Sequence, residues 1–278
     1  MKNIALGQFY PARSPIHALD ARMKVILSIL YIVCTFLCKN VLAFGALALS
    51  AVLLILLSRV PMRTILRAIR PILFIMLFTA LINLFFTKGE TLLWSQQILP
   101  FWRIDLHLEG IYSAAFMLVR IVVLILGTSI FLTYTTTPIA LTDAIESLLS
   151  PLRVIHVPVH EFAMMMTIAL RFIPTLSEET EKIMNAQKAR GVDFSQGGLI
   201  RRAKALIPIL IPLFVSAFRR ADELATAMEC RCYRGGKGRT KMTVSHLHFG
   251  DFTALLLVVA FGTGLILLNR YGFGFTMV

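Results

Sequence analysis

Long apolar segments constrain this chain more than any other feature of its sequence. A helix needs about 20 mostly apolar residues to cross a lipid bilayer, and fewer where the membrane is thin. Val25–Cys38 and Val41–Ser58 form one apolar stretch that is interrupted only at Lys39 and Asn40. We interpret this stretch as two short antiparallel membrane spans.

Three more apolar segments predict further spans. They are Pro71–Phe86, Ile111–Tyr134 and Phe252–Leu268. Only 15% of the 278 residues are charged, whereas soluble domains carry about 25%. The sequence therefore predicts an all-α polytopic membrane protein with about five transmembrane helices.

In such a protein the net charge of +13 indicates cytoplasmic loops beside the lipid bilayer, and no nucleic-acid partner.

A different kind of sequence separates the fourth predicted span from the fifth. Pro138–Leu152 has the residue spacing of an amphipathic helix. Phe162–Leu176 is an apolar arm, interrupted by proline, that runs directly into the charged helix Ser177–Arg190. Leu206–Phe218 and Arg219–Arg231 repeat this design. The sequence thus predicts two proline-bent apolar arms, each continued by a polar helix that ends on an arginine.

The distribution of charge predicts the orientation. Lysine and arginine concentrate on the cytoplasmic side of membrane proteins, and 13 of the 28 here lie in Ser177–Lys241. We therefore predict four spans in residues 1–134, a cytoplasmic-side coupling domain in residues 135–241, and a last span in residues 242–278. The N-terminus is then cytoplasmic, and the two middle arms lie along the inner membrane face without crossing it.

A glycine-rich segment, Gly235–Thr240, resembles a phosphate-binding loop. That motif requires G-x-x-x-x-G-K followed by Ser or Thr. Here Gly238 follows Lys237, and Arg231 occupies the position of the first glycine. A turn after a helix is the better interpretation, and any ATP hydrolysis is expected in another chain.

A histidine-containing segment suggests a metalloprotease, but Met164 stands where the HExxH pattern needs its second histidine. An intramembrane enzyme is a remote alternative function, because ionisable residues inside a membrane are often functional. Its candidate residues are Arg120, Asn83, His156, His160 and Glu161. No nucleophile, general base or complete metal set converges among them in the sequence.

Two smaller groups could bind a metal, and both have simpler interpretations. His246, His248 and Asp251 are interpreted as a solvated cluster at the membrane boundary. Cys230 and Cys232 would need two further ligands to hold zinc, and their neighbours do not supply them. No metal site is predicted.

Two arginine-tipped helices remain to be explained. In Ser177–Gly191 the acidic residues come early and the basic residues late, an order that complements the helix dipole. Gly191 suits a helix C-cap and leaves Arg190 at an exposed tip. The second helix, which ends near Arg231, carries small residues that favour close packing; they are Ala217, Ala221 and Ala225. Solvated charge is the simplest interpretation of such helices, and protein docking is the alternative.

At these arginines the sequence resembles the transmembrane T component (EcfT) of energy-coupling factor transporters, which are ABC-type importers of vitamins and metal ions. The family carries two Ala-Arg-Gly signatures at the ends of coupling helices. The first is Ala189-Arg190-Gly191, and the second is Cys230-Arg231-Cys232 within residues 220–233. The opening Ser14–Lys24 is also similar, so the resemblance covers about residues 10–242.

This resemblance implies a non-catalytic scaffold with partner proteins. In the family, the T component joins two cytoplasmic ATPases to a small membrane-embedded S subunit that binds the substrate. The signature arginines dock into grooves on the two ATPases. Carried over to this sequence, the docking residues are Ala189, Arg190, Gly191, Cys230, Arg231 and Cys232. Neither a cofactor nor a metal is expected in this chain.

The second signature departs from the family pattern, because Cys232 replaces the glycine that stops a helix easily. We therefore expect this helix to run on to Gly235-Gly236.

Two forms of T component fit the sequence: one shared by several S subunits, and one dedicated to a single importer such as that of cobalt or biotin. The transported substrate is not encoded in these motifs.

Overall fold

The computed structural model of the protein describes residues 9–86, 92–99, 102–192, 194, 198–236 and 247–271. Its α-helices are α1 (Pro15–Ala18), α2 (Ala21–Leu37), α3 (Val41–Ser58), α4 (Met62–Ile69), α5 (Leu73–Phe86), α6 (Leu108–Thr128), α7 (Pro138–Leu148), α8 (Val159–Ala189), α9 (Leu199–Cys230) and α10 (Phe249–Tyr271). A π-helical segment (Ser129–Tyr134) continues α6, and a 3-10 helix (Ser150–Ile155) follows α7. The predicted all-α fold class is confirmed.

One antiparallel hairpin interrupts the helices. Strands β1 (Leu92–Leu99) and β2 (Trp102–His107) pair with Leu92 opposite His107 and Leu99 opposite Trp102. The sequence predicts a polar loop here, yet both strands contain aromatic or β-branched residues that favour extended structure. The hairpin lies between α5 and α6.

The described chain divides into two compact units, residues 9–144 with 247–271 and residues 145–236. In the first unit, three helices are long and apolar enough to cross a bilayer: α3, α6 with its π-helical continuation, and α10. The other two predicted spans coincide with α2, which has 17 residues, and with α5, which has 14. These lengths lie at or below the short limit for a span. The protein is a membrane protein.

Contacts between helix ends give the directions of the helices in the first unit. α2 and α10 begin together, because the Asp20 N–H donates to Oδ1 of Asp251 at 2.9 Å. They also end together, because the Asn269 side-chain amide donates to the Leu37 carbonyl at 2.6 Å. The first and last apolar helices are therefore parallel. α6 runs the opposite way, since Thr135, just after its π-helical end, accepts from Lys24 near the start of α2.

Asp251 is buried where α2 and α10 begin, with only 1% of its surface exposed. Its second carboxylate oxygen accepts from the His248 N–H at 2.7 Å, so the side chain receives two backbone N–H groups. The interpretation of His246, His248 and Asp251 as a solvated cluster is therefore wrong for Asp251. The carboxylate is hydrogen-bonded to chain segments far apart in sequence, and this compensates for its burial. His246 lies outside the described residues.

Lys24 lies beside this carboxylate and is 3% exposed. Its ammonium group donates to the carbonyls of Thr135 at 2.8 Å and of His17 at 3.2 Å. A buried ammonium is tolerated when its protons are hydrogen-bonded. We call Asp20, Lys24 and Asp251 the polar node. It joins the starts of α2 and α10 to the end of the π-helical segment.

At the opposite end of α2, Arg120 binds the turn between α2 and α3. Its guanidinium donates to the Cys38 carbonyl at 3.1 Å and lies 5.2 Å from the centre of the Phe44 ring. Cys38 is the C-cap of α2, and such carbonyls lack partners within their own helix. Because an unpaired charge in hydrocarbon is costly, the sequence predicts that Arg120 faces protein and bonds either helix-end carbonyls or a buried acid; snorkelling to the membrane surface is the alternative. This prediction is confirmed.

The core of the first unit contains a close approach between α2 and α6. Tyr31 is 2% exposed, packs edge-on against Phe131, and shares a 3.1 Å hydrogen bond with the Ser50 hydroxyl. The Tyr31 ring lies directly over Gly127, where a Cβ atom would overlap it. Gly127 is therefore required by the tyrosine that it faces.

The second unit contains two long helices. α8 has 31 residues and α9 has 32, and each is roughly 47 Å long. Each predicted apolar arm and its polar helix form one continuous α-helix, with Pro174 inside α8 and with Pro208 and Pro212 inside α9. Large apolar side chains remain exposed along both arms; they include Phe162, Met165, Ile211, Phe214, Val215 and Phe218. Within the described chain these faces are uncovered.

We predict that Gly127→Ala destabilises the first unit, since the added methyl group overlaps the buried Tyr31 ring. Overpacking of this kind costs about 1–3 kcal/mol. Gly45→Ala is the matched control in another apolar helix, because no atom lies within 4 Å of the position that its added methyl group would take. Thermal unfolding of the purified protein in detergent should show a lower midpoint for Gly127→Ala alone. Equal midpoints for the two variants would contradict the packing argument.

Candidate docking site at two helix ends

The first arginine tip is formed by the C-terminus of α8. Arg190 is the C-cap, and Gly191 follows with φ +87°. The Gly191 N–H donates to the Lys188 carbonyl at 2.9 Å, and the Val192 N–H donates to the Gln187 carbonyl at 3.1 Å. These two bonds define a Schellman motif. The prediction that Gly191 caps this helix is confirmed.

The second tip has the same geometry without a glycine. α9 ends at Cys230, Arg231 is its C-cap, and Cys232 adopts the left-handed conformation with φ +56°. The N–H groups of Cys232 and Tyr233 donate back to the carbonyls of Glu229 at 2.8 Å and Met228 at 3.0 Å. This is again a Schellman motif.

The expectation that α9 continues to Gly235-Gly236 is therefore wrong. The helix stops at Cys230, because the two bonds of the Schellman motif satisfy the last carbonyls of the helix. This closure compensates for the left-handed strain at Cys232, a residue with a small side chain. Gly235 adopts φ +84° in the turn that follows. Lys237–Thr240, the rest of the phosphate-loop-like segment, lies outside the described residues.

All six predicted docking residues lie at the ends of these two helices. Ala189, Arg190, Gly191, Cys230, Arg231 and Cys232 are each exposed. Among the described residues, neither the Arg190 nor the Arg231 guanidinium has a hydrogen-bond or ion-pair partner. A guanidinium presents up to five fixed N–H donors, which suit carboxylates and backbone carbonyls on another protein. The two helix ends thus offer unoccupied cationic donors at defined positions.

The small-residue face of α9 contributes less to helix packing than the sequence suggests. Ala221 and Ala225 are exposed, and Ala217 is only partly buried. A polar contact joins α9 to α8, because the Arg220 guanidinium donates to Glu179 at 2.9 Å. This ion pair could not be predicted from the sequence, because its two members are 41 residues apart and give no local signal.

The histidine-containing segment has a structural role in the second unit. One carboxylate oxygen of Glu146 contacts both the Arg153 guanidinium at 3.1 Å and the His160 ring at 3.0 Å. A Cβ atom at Gly236 would lie 2.6 Å from the His160 ring, so the chain after α9 passes close to the start of α8. No cluster of three or more metal-ligating residues occurs in the described part of the chain.

Two further candidates for an intramembrane enzyme, Asn83 and Arg120, also have structural partners. The Asn83 side-chain amide donates to the Thr79 carbonyl at 3.0 Å and lies 3.1 Å from the Met117 sulfur. Arg120 is bound to the α2 C-cap. These contacts explain the polar residues within the apolar helices without a reaction.

Comparison with known proteins gives a consistent match over most of the chain. The CbiQ family, described as cobalt transport protein, matches residues 12–242. The chain belongs to this family. A relative from Ruminiclostridium cellulolyticum, named energy-coupling factor transporter transmembrane protein EcfT, is 50% identical over 97% of this chain and 98% of its own. Relatives with the same name from Clostridium kluyveri and Listeria innocua are 50% and 44% identical over 92% and 96% of this chain, and over 93% and 98% of their own.

The family match includes both arginine tips and the polar node residues Asp20 and Lys24. Asp251, the third member of the node, lies beyond the matched segment. The resemblance to the T component is confirmed by these relatives. Membership alone does not assign the partners of the two helix ends.

We predict opposite effects on helix-end stability from removing the glycine at the first cap and introducing a glycine at the second. Gly191→Ala forces a methyl group into a left-handed position and costs about 1 kcal/mol, whereas Cys232→Gly relieves a similar strain. Hydrogen exchange of the last turn of α8 should become about fivefold faster in Gly191→Ala. Exchange of the last turn of α9 should become slower in Cys232→Gly. Faster exchange in both variants would contradict equivalent cap geometry at the two tips.

Proposed function

We propose that this chain is the transmembrane T component of an energy-coupling factor importer of vitamins or metal ions. In this role it links two cytoplasmic ATPases to a membrane-embedded S subunit that binds the substrate. The observation that carries the proposal is the pair of matching helix ends, each with an exposed and unpartnered arginine among the described residues. The family match and the names of the relatives support it.

The two arginines are the proposed anchors for the two ATPases. Arg190 and Arg231 each follow an unbroken polar helix, so force applied at either tip is transmitted along a regular backbone. The guanidinium is always charged and forms directional bonds to carboxylates and carbonyls. ATP binding and hydrolysis belong to the partner chains in this proposal, and this chain is a non-catalytic subunit.

The apolar halves of α8 and α9 are the proposed contact with the membrane-embedded S subunit and the inner membrane face. They carry exposed aromatic and aliphatic side chains such as Phe162, Phe214 and Phe218, which are 54%, 61% and 69% exposed. Apolar patches of this kind mark surfaces that bind a partner or lipid. Residues 1–134, 135–241 and 242–278 are the proposed N-terminal membrane domain, coupling domain and last span.

The parallel arrangement of α2 and α10 supports the proposed topology. Thr135, after the fourth apolar helix, and His248, before the last one, both belong to the polar-node end of the first unit. The fourth apolar helix therefore ends, and the last one begins, at the same end of this unit. Together with the positive charge of Ser177–Lys241, this arrangement supports a cytoplasmic coupling domain with no net crossing of the membrane.

Cysteine labelling tests this topology. An impermeant thiol reagent applied to intact cells should fail to label the exposed Cys230 and Cys232, because both are then cytoplasmic. It should label Lys39→Cys, an exposed position in the predicted external turn between α2 and α3. Inverted vesicles should give the reverse pattern. Labelling of Cys230 in intact cells would contradict the cytoplasmic location of the coupling domain.

A dedicated importer is a second candidate function, favoured by the description of the matched family as cobalt transport protein. The names of the relatives favour a general energy-coupling factor module. Purification of the solubilised chain from its own membranes, with identification of the co-purifying proteins, separates the two. One S subunit indicates a dedicated importer, and several different S subunits indicate a shared module.

We predict that Arg190→Glu or Arg231→Glu sharply reduces substrate uptake but preserves part of the complex. Loss of one desolvated, charge-assisted contact costs about 2–5 kcal/mol. Because linked contacts bind far more tightly than either one alone, the double variant should lose both ATPases on affinity purification. The measurement is the amount of ATPase that co-purifies with the tagged chain, together with uptake by proteoliposomes.

Lys188→Glu and Arg234→Glu are the matched controls, because each reverses one charge next to a tip. Solvated charges contribute little, so these variants should retain both the complex and uptake. Equal damage in the controls would indicate a diffuse basic surface in place of two specific anchors.

A further inference from the structure

An ion pair connects α8 to α9 within the second unit. The Glu179 carboxylate accepts a hydrogen bond from the Arg220 guanidinium at 2.9 Å. Ser216 and Arg220 lower the pKa of Glu179 below its ordinary value, because both lie close enough to the carboxylate to stabilise its charged form. Ser216 and Arg220 are four residues apart and share one face of α9. Glu179 therefore faces the side of α9 that carries both residues, and its ion pair with Arg220 joins the two helices.

Each member of the ion pair lies at the same sequence separation from the arginine tip of its own helix. Glu179 precedes Arg190 by 11 residues, and Arg220 precedes Arg231 by 11 residues. In an α-helix this separation corresponds to roughly 16 Å and three turns, and it returns to within about 20° of the starting face. Arg190 thus lies as far beyond Glu179 along α8 as Arg231 lies beyond Arg220 along α9. Each arginine also lies on nearly the same face of its helix as its member of the ion pair.

The segments between the pair and the tips contain no proline. Pro174 in α8, and Pro208 and Pro212 in α9, all precede the pair. Proline removes a backbone hydrogen bond and permits a helix to bend. Any such bending occurs in the apolar halves, and the helix from the pair to each tip lacks this source of flexibility.

We infer that Glu179 and Arg220 are positioning residues that set the distance between Arg190 and Arg231. The inference rests on the proposed function, in which both arginines bind ATPases at the same time. A rotation of about 20° between the helices at the pair would move a tip by about 6 Å. Bound contacts of this kind require positions held to about 0.5 Å. The pair therefore determines whether both anchors reach their sites together.

A purely stabilising role predicts a different result. The side chains of Glu179 and Arg220 are 24% and 37% exposed, and ion pairs with this much solvent contact contribute little to folding. Reversal of one charge should therefore leave the chain folded and inserted in the membrane. The positioning role predicts that the defect appears in coupling and in the distance between the tips.

The first test is a charge exchange in the complete complex, produced with its ATPases and S subunit and reconstituted in vesicles. Glu179→Arg and Arg220→Glu should each lower substrate uptake by at least about tenfold, because small misplacements of contact groups have large effects. The variant with both changes restores opposite charges and should recover most of the uptake. Glu178→Arg and Arg219→Glu alter the exposed neighbours in the same way and should have no effect.

The second test measures the distance between the tips directly. Spin labels are placed at Lys188→Cys and Ala227→Cys in a chain with Cys230→Ala and Cys232→Gly; Cys34 and Cys38 are buried. Double electron–electron resonance should give one narrow distance distribution for the labelled parent chain. Each single charge reversal should give a shifted or broader distribution. The double exchange should restore the parent distribution.

Two results would overturn the inference. The first is an unchanged distance distribution in the single reversals, and the second is a folded double exchange that recovers neither uptake nor distance. Failure of the proposed function would give a different result. The double variant Arg190→Glu with Arg231→Glu would then keep the ATPases bound, whether or not the Glu179–Arg220 ion pair is intact.

Discussion

Hydrocarbon provides no hydrogen-bond partner for a backbone carbonyl or a charged side chain, and the first unit of this protein depends on that constraint. Its polar contacts lie mainly where helices begin and end. At one end, Asp251 and Lys24 join α2, α10 and the end of the π-helical segment. At the other end, Arg120 and Asn269 bind carbonyls at the end of α2. Between these ends the packing is largely apolar, with the Tyr31 ring over Gly127 and the Tyr31 hydroxyl hydrogen-bonded to Ser50.

The second unit is under a different constraint, because its two long helices each have an apolar half and a charged half. In both α8 and α9 the prolines fall in the apolar half, and the charged half continues without interruption to a Schellman cap. The caps satisfy the last backbone carbonyls internally, so the arginine side chains remain available to other proteins. Regular structure at the tips and exposed apolar surface at the arms are the two features on which the proposed scaffold role depends.

Features with a local cause could be predicted from the sequence. The apolar runs predicted the positions of five helices, the cost of a buried charge predicted the partner of Arg120, and Gly191 predicted a helix cap. The cap at Cys232 was missed because residue preference suggested a longer helix, whereas two backbone hydrogen bonds determine where α9 ends. The contacts of Asp251 with Asp20 and of Glu179 with Arg220 span 231 and 41 residues. Such pairings arise only from the tertiary arrangement.

The parallel pairing of α2 with α10 has a consequence for biosynthesis. α2 is the first of the apolar helices to leave the ribosome, and α10 follows every other described helix along the chain. The buried groups of α2 that bind α10 therefore remain in the membrane without these partners until all the other described helices have been made. Contacts between distant segments form slowly, and intermediates that lack them are prone to misassembly. Insertion of α10 is thus the step that supplies the partners of α2 at both of its ends, and quality control in the cell can act on chains that have not reached it.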